Sequence, residues 1–372
     1  MRLTLVINSL GAGGAEKILT ILANHWSIQS HSVTILTFDD GKSAPFYELG
    51  SSINYCALSL GTKKLGLLNK IFALPRLLFA LNKKIKNSKP DIVISFMDQA
   101  NMLTLAALVG SKVPVIVSER VNPQRSSIAE HIAPLRWILC IAREVLYRSS
   151  QALVVQTDGA KNYFTSRGQN SVTVIPNPVS APKNEALDLK ISKDTIVTIG
   201  RLVPQKRIDL IIRSFARIAA QNPDWTLMII GDGPLRKDLE GLALSLGIKE
   251  RCVFTGLMQS PSKILQQASI FVLASDYEGF PGALCEAMAS GLAVISTRCD
   301  FGPEDIIEDF KNGLLVPVGD SVALGEAIHR LIGDPLLREK LGDAARNITV
   351  QFSLEQVIQL WDSVFTQIKK VA

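Results

Sequence analysis

Short, continuously apolar segments recur along the chain, and most are followed by residues with the spacing of a helix. The first series of predicted strands covers residues 3–8, 33–38, 91–96, 114–118, 152–156 and 172–175. The second covers residues 195–199, 225–230, 252–254, 270–274, 293–296 and 313–316. Apolar runs without polar alternation are typical of parallel strands that are covered on both faces. The pattern therefore predicts an α/β protein built on parallel sheets.

A segment rich in proline and polar residues, 176–184, separates the two series and has the composition of a linker. A length of 372 residues also suits two domains. We predict two Rossmann-like, doubly wound domains at residues 1–180 and 185–352, facing each other across a cleft. Predicted helices of the second domain include residues 207–221, 282–290 and 335–352, and a last helix at 353–372 is expected to pack back on the first domain. Ligands of such sheets bind beyond the carboxyl ends of the strands.

Composition excludes several classes of protein. With 47% hydrophobic and 20% charged residues, the chain is not of a disordered or low-complexity type. The five cysteines are scattered without a C-x-x-C pair, and the four histidines form no zinc motif. No D-x-D occurs either, so we expect neither a metal nor another cofactor. Since no signal-like or membrane-spanning stretch is visible, we expect a cytoplasmic protein.

The net charge of +6 is concentrated in one region. Residues 49–90 contain no acidic side chain, and basic residues alternate there with apolar ones at helical spacing. This pattern predicts a basic amphipathic helix near residues 61–89 that contacts an anionic membrane surface; an ordinary surface helix with a solvated face would give the same pattern. Nucleic acid is not expected, because aromatic residues are few and no binding motif is present. The candidate membrane or acceptor contacts are Lys63, Lys64, Lys70, Lys83 and Lys84.

A glycine-rich loop at residues 11–16 follows the first strand and opens a helix. Backbone N–H groups and the helix dipole can bind a phosphate at such a place. The dinucleotide pattern G-x-G-x-x-G fails, because Glu16 occupies the third glycine position. A plain tight turn remains the alternative interpretation.

Two cations follow the strand at residues 195–199. Arg201 and Lys206 would lie at the carboxyl end of a central strand, where they could bind a diphosphate, the arginine in a bidentate manner and the lysine as a point charge. An exposed loop with two solvated cations would have the same sequence.

A third motif, residues 278–286, follows the strand at 270–274. Pro281 and Gly282 suit the first turn of a helix, whose free N–H groups would form an anion site. Glu278 precedes that helix and Glu286 lies one turn inside it, where they could accept hydrogen bonds from sugar hydroxyls or simply cap the helix.

Two further loops follow strands. Glu119 and Arg120 come directly after the strand at 114–118, so their side chains are expected to face the cleft. The Gly231-Asp232-Gly233 turn is interpreted as structural.

Taken in register, residues 13–16, Gly200-Arg201 with Lys206, residues 231–233 and the E-x7-E pair Glu278/Glu286 resemble retaining glycosyltransferases of family 4, which have the GT-B fold. The resemblance covers essentially the whole chain. Residues 94–98 and 118–120 are similar to the family's bacterial N-acetylgalactosaminyltransferases, which extend undecaprenyl-diphosphate-linked glycans.

The resemblance implies a role for each matching residue. Arg201 and Lys206 would hold the diphosphate of the donor and stabilise the leaving group, while Glu278 would contact the hexose hydroxyls. Glu286 would bind the ribose, and Gly14 would close over the phosphate. The backbone that would cradle that phosphate belongs to Phe280, Pro281, Gly282, Ala283 and Leu284.

For the acceptor, the resemblance implies that the basic helix near 61–89 binds a lipid-linked diphosphate. Arg120 stands where many members place a histidine, near the 6-position of the sugar. The implied reaction is metal-free, retaining transfer of a hexose or N-acetylhexosamine, best GalNAc, from a UDP-sugar at the cytoplasmic face of the inner membrane. The alternatives are another donor or a soluble acceptor on the same fold, and a non-catalytic membrane-associated assembly partner.

Overall fold

A computed structural model describes residues 1–59, 67–126, 128, 132–182, 191–258 and 261–371, with the side chains of residues 67–73 and 371 left aside. The chain forms two units. The N-terminal unit comprises Met1–Pro176 together with Ile358–Ala372, and the C-terminal unit comprises Asn177–Val357.

The N-terminal unit is built on a sheet of seven parallel strands in the order β3-β2-β1-β4-β5-β6-β7. The strands are β1 (Arg2–Ile7), β2 (Ser32–Thr37), β3 (Asn54–Ala57), β4 (Ile92–Phe96), β5 (Val115–Ser118), β6 (Ala152–Val155) and β7 (Val172–Val174). The connecting helices are α1 (Gly14–Ile28), α2 (Leu67–Ser88), α3 (Asp98–Ala107), α4 (Ala133–Tyr147) and α5 (Asp158–Thr165).

The strand order assigns these helices to the two faces of the sheet. Parallel crossovers are right-handed, and the chain reverses its direction across the sheet after β3. Helix α1 therefore covers one face, while α2 to α5 cover the other, with α3 in contact with both α2 and α4. On the face of α1, Trp26 packs edge-on against Trp361, with ring centroids 5.7 Å apart.

The C-terminal unit has six parallel strands in the order β10-β9-β8-β11-β12-β13. They are β8 (Thr195–Ile199), β9 (Thr226–Ile230), β10 (Cys252–Gly256), β11 (Ile270–Leu273), β12 (Ala293–Thr297) and β13 (Leu314–Val316). Its helices are α6 (Ile208–Ala219), α7 (Arg236–Ser245), α8 (Ser262–Leu265), α9 (Gly282–Ala289), α10 (Pro303–Ile306), α11 (Ser321–Gly333), α12 (Pro335–Ala345) and α13 (Ile348–Gln351). The last helix, α14 (Leu354–Val371), belongs to the N-terminal unit from Ile358 onward.

The predicted parallel sheets are confirmed, and the elements differ from the prediction in several places, among them an edge strand and a helix. Strand β3 was not predicted, because it is a half-buried edge strand without a continuous apolar run. The helix predicted at 335–352 is two helices, α12 and α13, separated by Arg346 and Asn347.

The basic segment is described in part. Lys63 and Lys64 lie outside the described residues, as does the side chain of Lys70. In the second half of α2, Lys83 and Lys84 are exposed. The apolar stripe of this half, Leu77, Leu81 and Ile85, is buried in the core of the unit and so belongs to an amphipathic surface helix. Within the described residues, no helix is long and apolar enough to cross a bilayer.

Candidate active site

The loop after β8 is held against the turn after β9 at van der Waals distance. A Cβ atom added to Gly231, where φ is +140°, would lie 2.0 Å from the Gly200 carbonyl oxygen. One added to Gly233 would lie 2.5 Å from the Leu202 carbonyl oxygen. The Gly231-Asp232-Gly233 turn therefore has the structural role predicted for it: only glycine permits the close approach that fixes the Arg201 loop.

A partly buried ion pair joins the loops that follow two neighbouring strands, β8 and β11. Lys206 Nζ lies 2.6 Å from Oε1 of Glu278, and the two side chains are 18% and 7% exposed. Ser275 Oγ donates a second hydrogen bond, also of 2.6 Å, to the same Oε1. A carboxylate that receives a lysine and a hydroxyl on one oxygen is held in a defined orientation. The structure thus brings together two of the three predicted catalytic residues.

Backbone contacts fix the two loops that carry this pair. Lys206 ends a short 3-10 turn, Pro204–Lys206. Beside it, the Gln205 amide donates to the Tyr277 carbonyl at 2.7 Å, and the Asp276 N–H donates to the Gln205 carbonyl at 2.9 Å. Sequence reasoning missed both Gln205 and Ser275. Gln205 lies between Arg201 and Lys206 at a position that the motif leaves open, and it acts through a contact across 72 residues of chain. Ser275 lies outside every motif, although its partner Glu278 is only three residues away.

The N-terminus of α9 is open, as predicted. A Cβ added to Gly282 would meet no atom within 4 Å. Pro281 precedes the helix without a side-chain cap, and within the described part of the chain the N–H groups of Ala283 and Leu284 have no acceptor. Free N–H groups at the positive end of a helix dipole favour an anion such as a phosphate.

Neighbouring side chains hold this helix start in place. The Phe280 ring packs on Phe352 at 5.8 Å between centroids. Gly302, at φ +101°, lies so close to Pro281 that a Cβ would be 2.7 Å from the proline Cδ. The loop before α9 is therefore clamped on two sides.

The other predicted donor-binding residues do not join the ion pair. Arg201 is exposed and forms no ion pair with any residue that the structure describes. Glu286 is half-buried within α9. In the N-terminal unit, Gly14 begins α1 in an exposed loop, and its Cα faces open space.

Glu119 and Arg120 follow β5 as predicted, but their side chains are buried inside the N-terminal unit. The Glu119 carboxylate accepts a short hydrogen bond from the Tyr147 hydroxyl on Oε1, while Oε2 has no partner among the described residues. Asn101 donates to the Tyr147 oxygen at 3.1 Å. The Arg120 guanidinium lies 4.9 Å from the centre of the Phe96 ring and donates to Ser118.

Burial dominates the titration of this cluster. Desolvation, followed by the charge of Asp98, raises the pKa of Glu119 from 4.5 to about 7. Desolvation also lowers the pKa of Arg120 to about 9, so this side chain keeps its charge at neutral pH. The acceptor role expected of the two residues stays a prediction, since neither side chain is open to solvent in this structure.

The turn between β4 and α3 contains a strained residue, which lies within the motif at residues 94–98 although that motif does not indicate the strain. Met97 has φ +78° and ψ 144°, a conformation that side-chain-bearing residues rarely adopt. Its N–H donates to the Ser118 carbonyl at 3.0 Å, which ties this turn to the strand that carries Glu119.

Comparison with known proteins identifies the chain. Residues 12–181 match the description "Glycosyltransferase Family 4", and residues 182–348 match "Glycosyl transferases group 1". A relative from Campylobacter jejuni, GalNAc-alpha-(1->4)-GalNAc-alpha-(1->3)-diNAcBac-PP-undecaprenol alpha-1,4-N-acetyl-D-galactosaminyltransferase, is 30% identical over 99% of both chains. The chain belongs to glycosyltransferase family 4.

Solved structures agree with this family 4 glycosyltransferase in fold. Sucrose-phosphate synthase from Thermosynechococcus elongatus superposes with a TM-score of 0.85 at 18% identity, covering 100% of both chains. Anabaena HepE, in complex with UDP and glucose, gives a TM-score of 0.76 at 17% identity over 100% of both chains. The predicted family and GT-B fold are confirmed, and the protein is an enzyme, so the alternative of a non-catalytic assembly partner is wrong.

Proposed function

We propose that this glycosyltransferase transfers N-acetylgalactosamine, with retention of anomeric configuration, from UDP-GalNAc to an undecaprenyl-diphosphate-linked oligosaccharide. The observation that carries the proposal is the partly buried Lys206–Glu278 pair beyond the strand ends of the C-terminal unit, in the same unit as the uncapped start of α9. These groups supply the cation, the carboxylate and the N–H donors that a nucleotide sugar requires.

Stabilisation of the leaving group is the first requirement of the reaction. The diphosphate becomes more negative as the glycosidic bond breaks, so preorganised positive groups lower the barrier. Lys206 and the exposed Arg201 provide two cations, and the N–H groups of Ala283 and Leu284 add the end of a helix dipole. This combination needs no metal ion, and we expect turnover to survive chelation by EDTA.

Recognition of the sugar is assigned to the two glutamates. Both donors to Glu278 use Oε1, so Oε2 is left to accept a hydrogen bond from a hexose hydroxyl near the anomeric carbon. Glu286 would accept hydrogen bonds from the ribose hydroxyls. For retention, we propose attack on the same face from which the diphosphate leaves, with a phosphate oxygen accepting the acceptor's proton. A trapped covalent glycosyl-enzyme would contradict this route.

The acceptor is proposed from the Campylobacter relative, whose name specifies a PP-undecaprenol glycan. The exposed lysines of α2 would contact the acceptor diphosphate or the anionic cytoplasmic face of the inner membrane. Glu119 and Arg120, with the strained turn at Met97, remain candidates for shaping the acceptor side of the N-terminal unit.

The decisive experiment is a donor screen. Purified enzyme is mixed with an undecaprenyl-diphosphate-linked glycan and, separately, UDP-GalNAc, UDP-GlcNAc, UDP-Gal or UDP-Glc, and both UDP release and the glycan product are measured. We expect the fastest turnover with UDP-GalNAc and an α-linked product. A preference for another donor would correct the sugar, and turnover only with a soluble acceptor would overturn the lipid-linked assignment.

The membrane part is tested by sedimentation with anionic vesicles. The double variant Lys83→Glu/Lys84→Glu should bind more weakly, and binding of the wild type should weaken with salt, because each surface cation adds about 1 kcal/mol. Lys237→Glu/Lys340→Glu, two exposed lysines of the C-terminal unit, makes the same change in net charge and serves as control. Equal loss in both variants would remove the assigned role of α2.

A further inference from the structure

Helix α4 exposes apolar side chains and buries polar ones, the reverse of an ordinary surface helix. The residues it buries are Arg143 and Tyr147, which join the polar cluster around Glu119. Its outward face carries a stripe of exposed apolar side chains at intervals of three and four residues, here named the α4 stripe: Trp137, Ile138, Ile141 and Val145, 40% to 68% exposed. A surface helix of a globular protein normally places its apolar face toward the core. The exposed α4 stripe is therefore a candidate docking surface.

Among the residues that the structure describes, the exposed charged side chains of α4 and its C-terminal end are cationic. Arg136 and Arg148, both exposed, lie near its two ends. The single acidic residue of the helix, Glu144, is half-buried and paired with Arg167 at 3.5 Å. A stripe with a tryptophan, aliphatic side chains and flanking arginines matches the interface of an anionic bilayer, where indole rings and arginines are both favoured.

The same face of the sheet contains further groups of this kind. Helices α2, α3 and α4 lie side by side there, and α2 exposes Phe79 together with Arg76, Lys83 and Lys86. The apolar stripe of α4 and the basic, partly apolar surface of α2 therefore lie on the same face of the sheet. A second copy of the chain would place the arginines of one stripe near those of the other, whereas an anionic lipid surface complements them.

We infer that the α4 stripe docks on an anionic lipid surface and inserts its apolar side chains at the level of the headgroups. The inference deepens the proposed function, because a lipid-linked acceptor is presented at such a surface. It assigns the salt-resistant part of membrane binding to α4 and the salt-sensitive part to the lysines of α2.

Tryptophan fluorescence tests this directly. Of the four tryptophans in the sequence, Trp26, Trp225 and Trp361 are buried, and Trp137 is 68% exposed. Iodide should therefore quench mainly Trp137 in solution. On adding vesicles of phosphatidylglycerol and phosphatidylethanolamine, we expect a blue shift and loss of iodide quenching. Trp137→Phe should abolish both signals while the protein still sediments with the vesicles.

A double variant measures the contribution of the stripe. Ile141→Glu/Val145→Glu should lower the vesicle partition coefficient by about tenfold or more, because it removes two apolar groups and adds two repelling charges. The matched control is Leu244→Glu/Leu336→Glu, which changes two exposed leucines on helices of the C-terminal unit. All four sites are exposed, so thermal unfolding should shift little in either variant.

Three results would overturn the inference. These are unchanged iodide quenching on vesicles, equal binding by the stripe variant and its control, and protection of Trp137 that depends on protein concentration without lipid. The last result would assign the stripe to a second copy of the chain.

Activity assays separate this inference from the proposed function. With a short-chain, water-soluble acceptor, the stripe variant should turn over like the wild type, and with the acceptor in vesicles it should be slower. Absence of transfer by the wild type with every acceptor would instead count against the proposed function and leave the vesicle result standing.

Discussion

Each unit buries a glutamate that follows the carboxyl end of a central strand, and the two differ in their partners. Glu119 is 2% exposed and Glu278 is 6% exposed. Glu119 accepts a hydrogen bond from a neutral phenol, Tyr147, with the carboxylate of Asp98 near enough to raise its pKa. Glu278 instead receives the ammonium group of Lys206 at 2.6 Å.

The difference lies in what compensates the buried charge. Without a cation at bonding distance, desolvation favours the neutral acid, and the group contributes to packing and hydrogen bonding. With a cation at bonding distance, the carboxylate has a compensating charge, and an open helix N-terminus in the same unit adds to the field acting on an anion. Equal burial thus gives a group suited to structure in the N-terminal unit and a group suited to chemistry in the C-terminal unit.

Removing the ion pair should have the largest effect. Lys206→Ala and Glu278→Ala are each expected to reduce kcat/KM by about 100-fold or more, the scale of losing one preorganised charge contact. The variants are compared by UDP release under initial-rate conditions. The matched control is the surface pair Lys311–Glu308, also 2.6 Å apart but about 70% exposed, whose alanine variants should keep near-normal rates.

Each single variant also leaves one buried charge unpaired, so stability must be separated from catalysis. The double variant Lys206→Met/Glu278→Gln has nearly the original volume and no charge. We expect thermal stability near that of the wild type and activity as low as that of the single variants. Near-normal turnover in all of these variants would remove the site.

The contrast predicts a stability effect for the other glutamate. Since the pKa of Glu119 is raised from 4.5 to about 7, its burial stabilises the fold below pH 4.5, and this contribution is lost as the pH rises through about 7. Glu119→Gln has no charge to desolvate. The variant should therefore be more stable than the wild type by about 3 kcal/mol at pH 8, with a much smaller difference at pH 5.

Urea denaturation at the two pH values measures this difference. Glu144→Gln, on α4 of the same unit, changes a half-buried glutamate with an arginine partner and should shift stability by less than about 1 kcal/mol. A destabilised Glu119→Gln at pH 8 would show that the carboxylate is ionised and needed in the native cluster.

Glu286 should have a smaller effect, confined to the donor. Loss of its proposed hydrogen bonds to the ribose should raise the donor KM by about tenfold in Glu286→Ala, with kcat less affected. A 2′-deoxyuridine or 3′-deoxyuridine donor tests the assignment. If Glu286 binds that hydroxyl, the deoxy donor should bind the wild type and the variant almost equally; a persistent tenfold difference with both analogues would place the interaction elsewhere.

The sequence predicted those features that depend on neighbouring residues alone. Continuous apolar runs located most strands to within one or two residues, and Pro281-Gly282 located the start of α9. The edge strand β3 was missed because its sequence, NYCA, alternates too little to be distinguished from a loop. The break at Arg346 and Asn347 was missed because both residues are compatible with a continuing helix.

Features that depend on contacts between distant parts of the chain could not be predicted from the sequence. Glu119 and Glu278 have the same local pattern, a glutamate soon after an apolar strand, and only the tertiary contacts with Tyr147 and Lys206 distinguish them. The α4 stripe was likewise invisible, since the sequence does not show that Arg143 turns inward. The positive φ of Met97 follows no residue preference at all.

Ser275 gives the smallest predicted effect and the sharpest test of how Glu278 is held. The Ser275 hydroxyl and the Lys206 ammonium group both donate to Oε1 of Glu278. Removing the hydroxyl therefore leaves the ion pair intact and takes away one hydrogen bond. Ser275→Ala should lower kcat/KM by about three- to tenfold. The control is Ser296→Ala, a fully buried serine of β12 that donates only to a backbone carbonyl. If both variants lose activity equally, the Ser275 hydroxyl acts through packing of the sheet; if only Ser275→Ala does, orientation of the Glu278 carboxylate is part of catalysis.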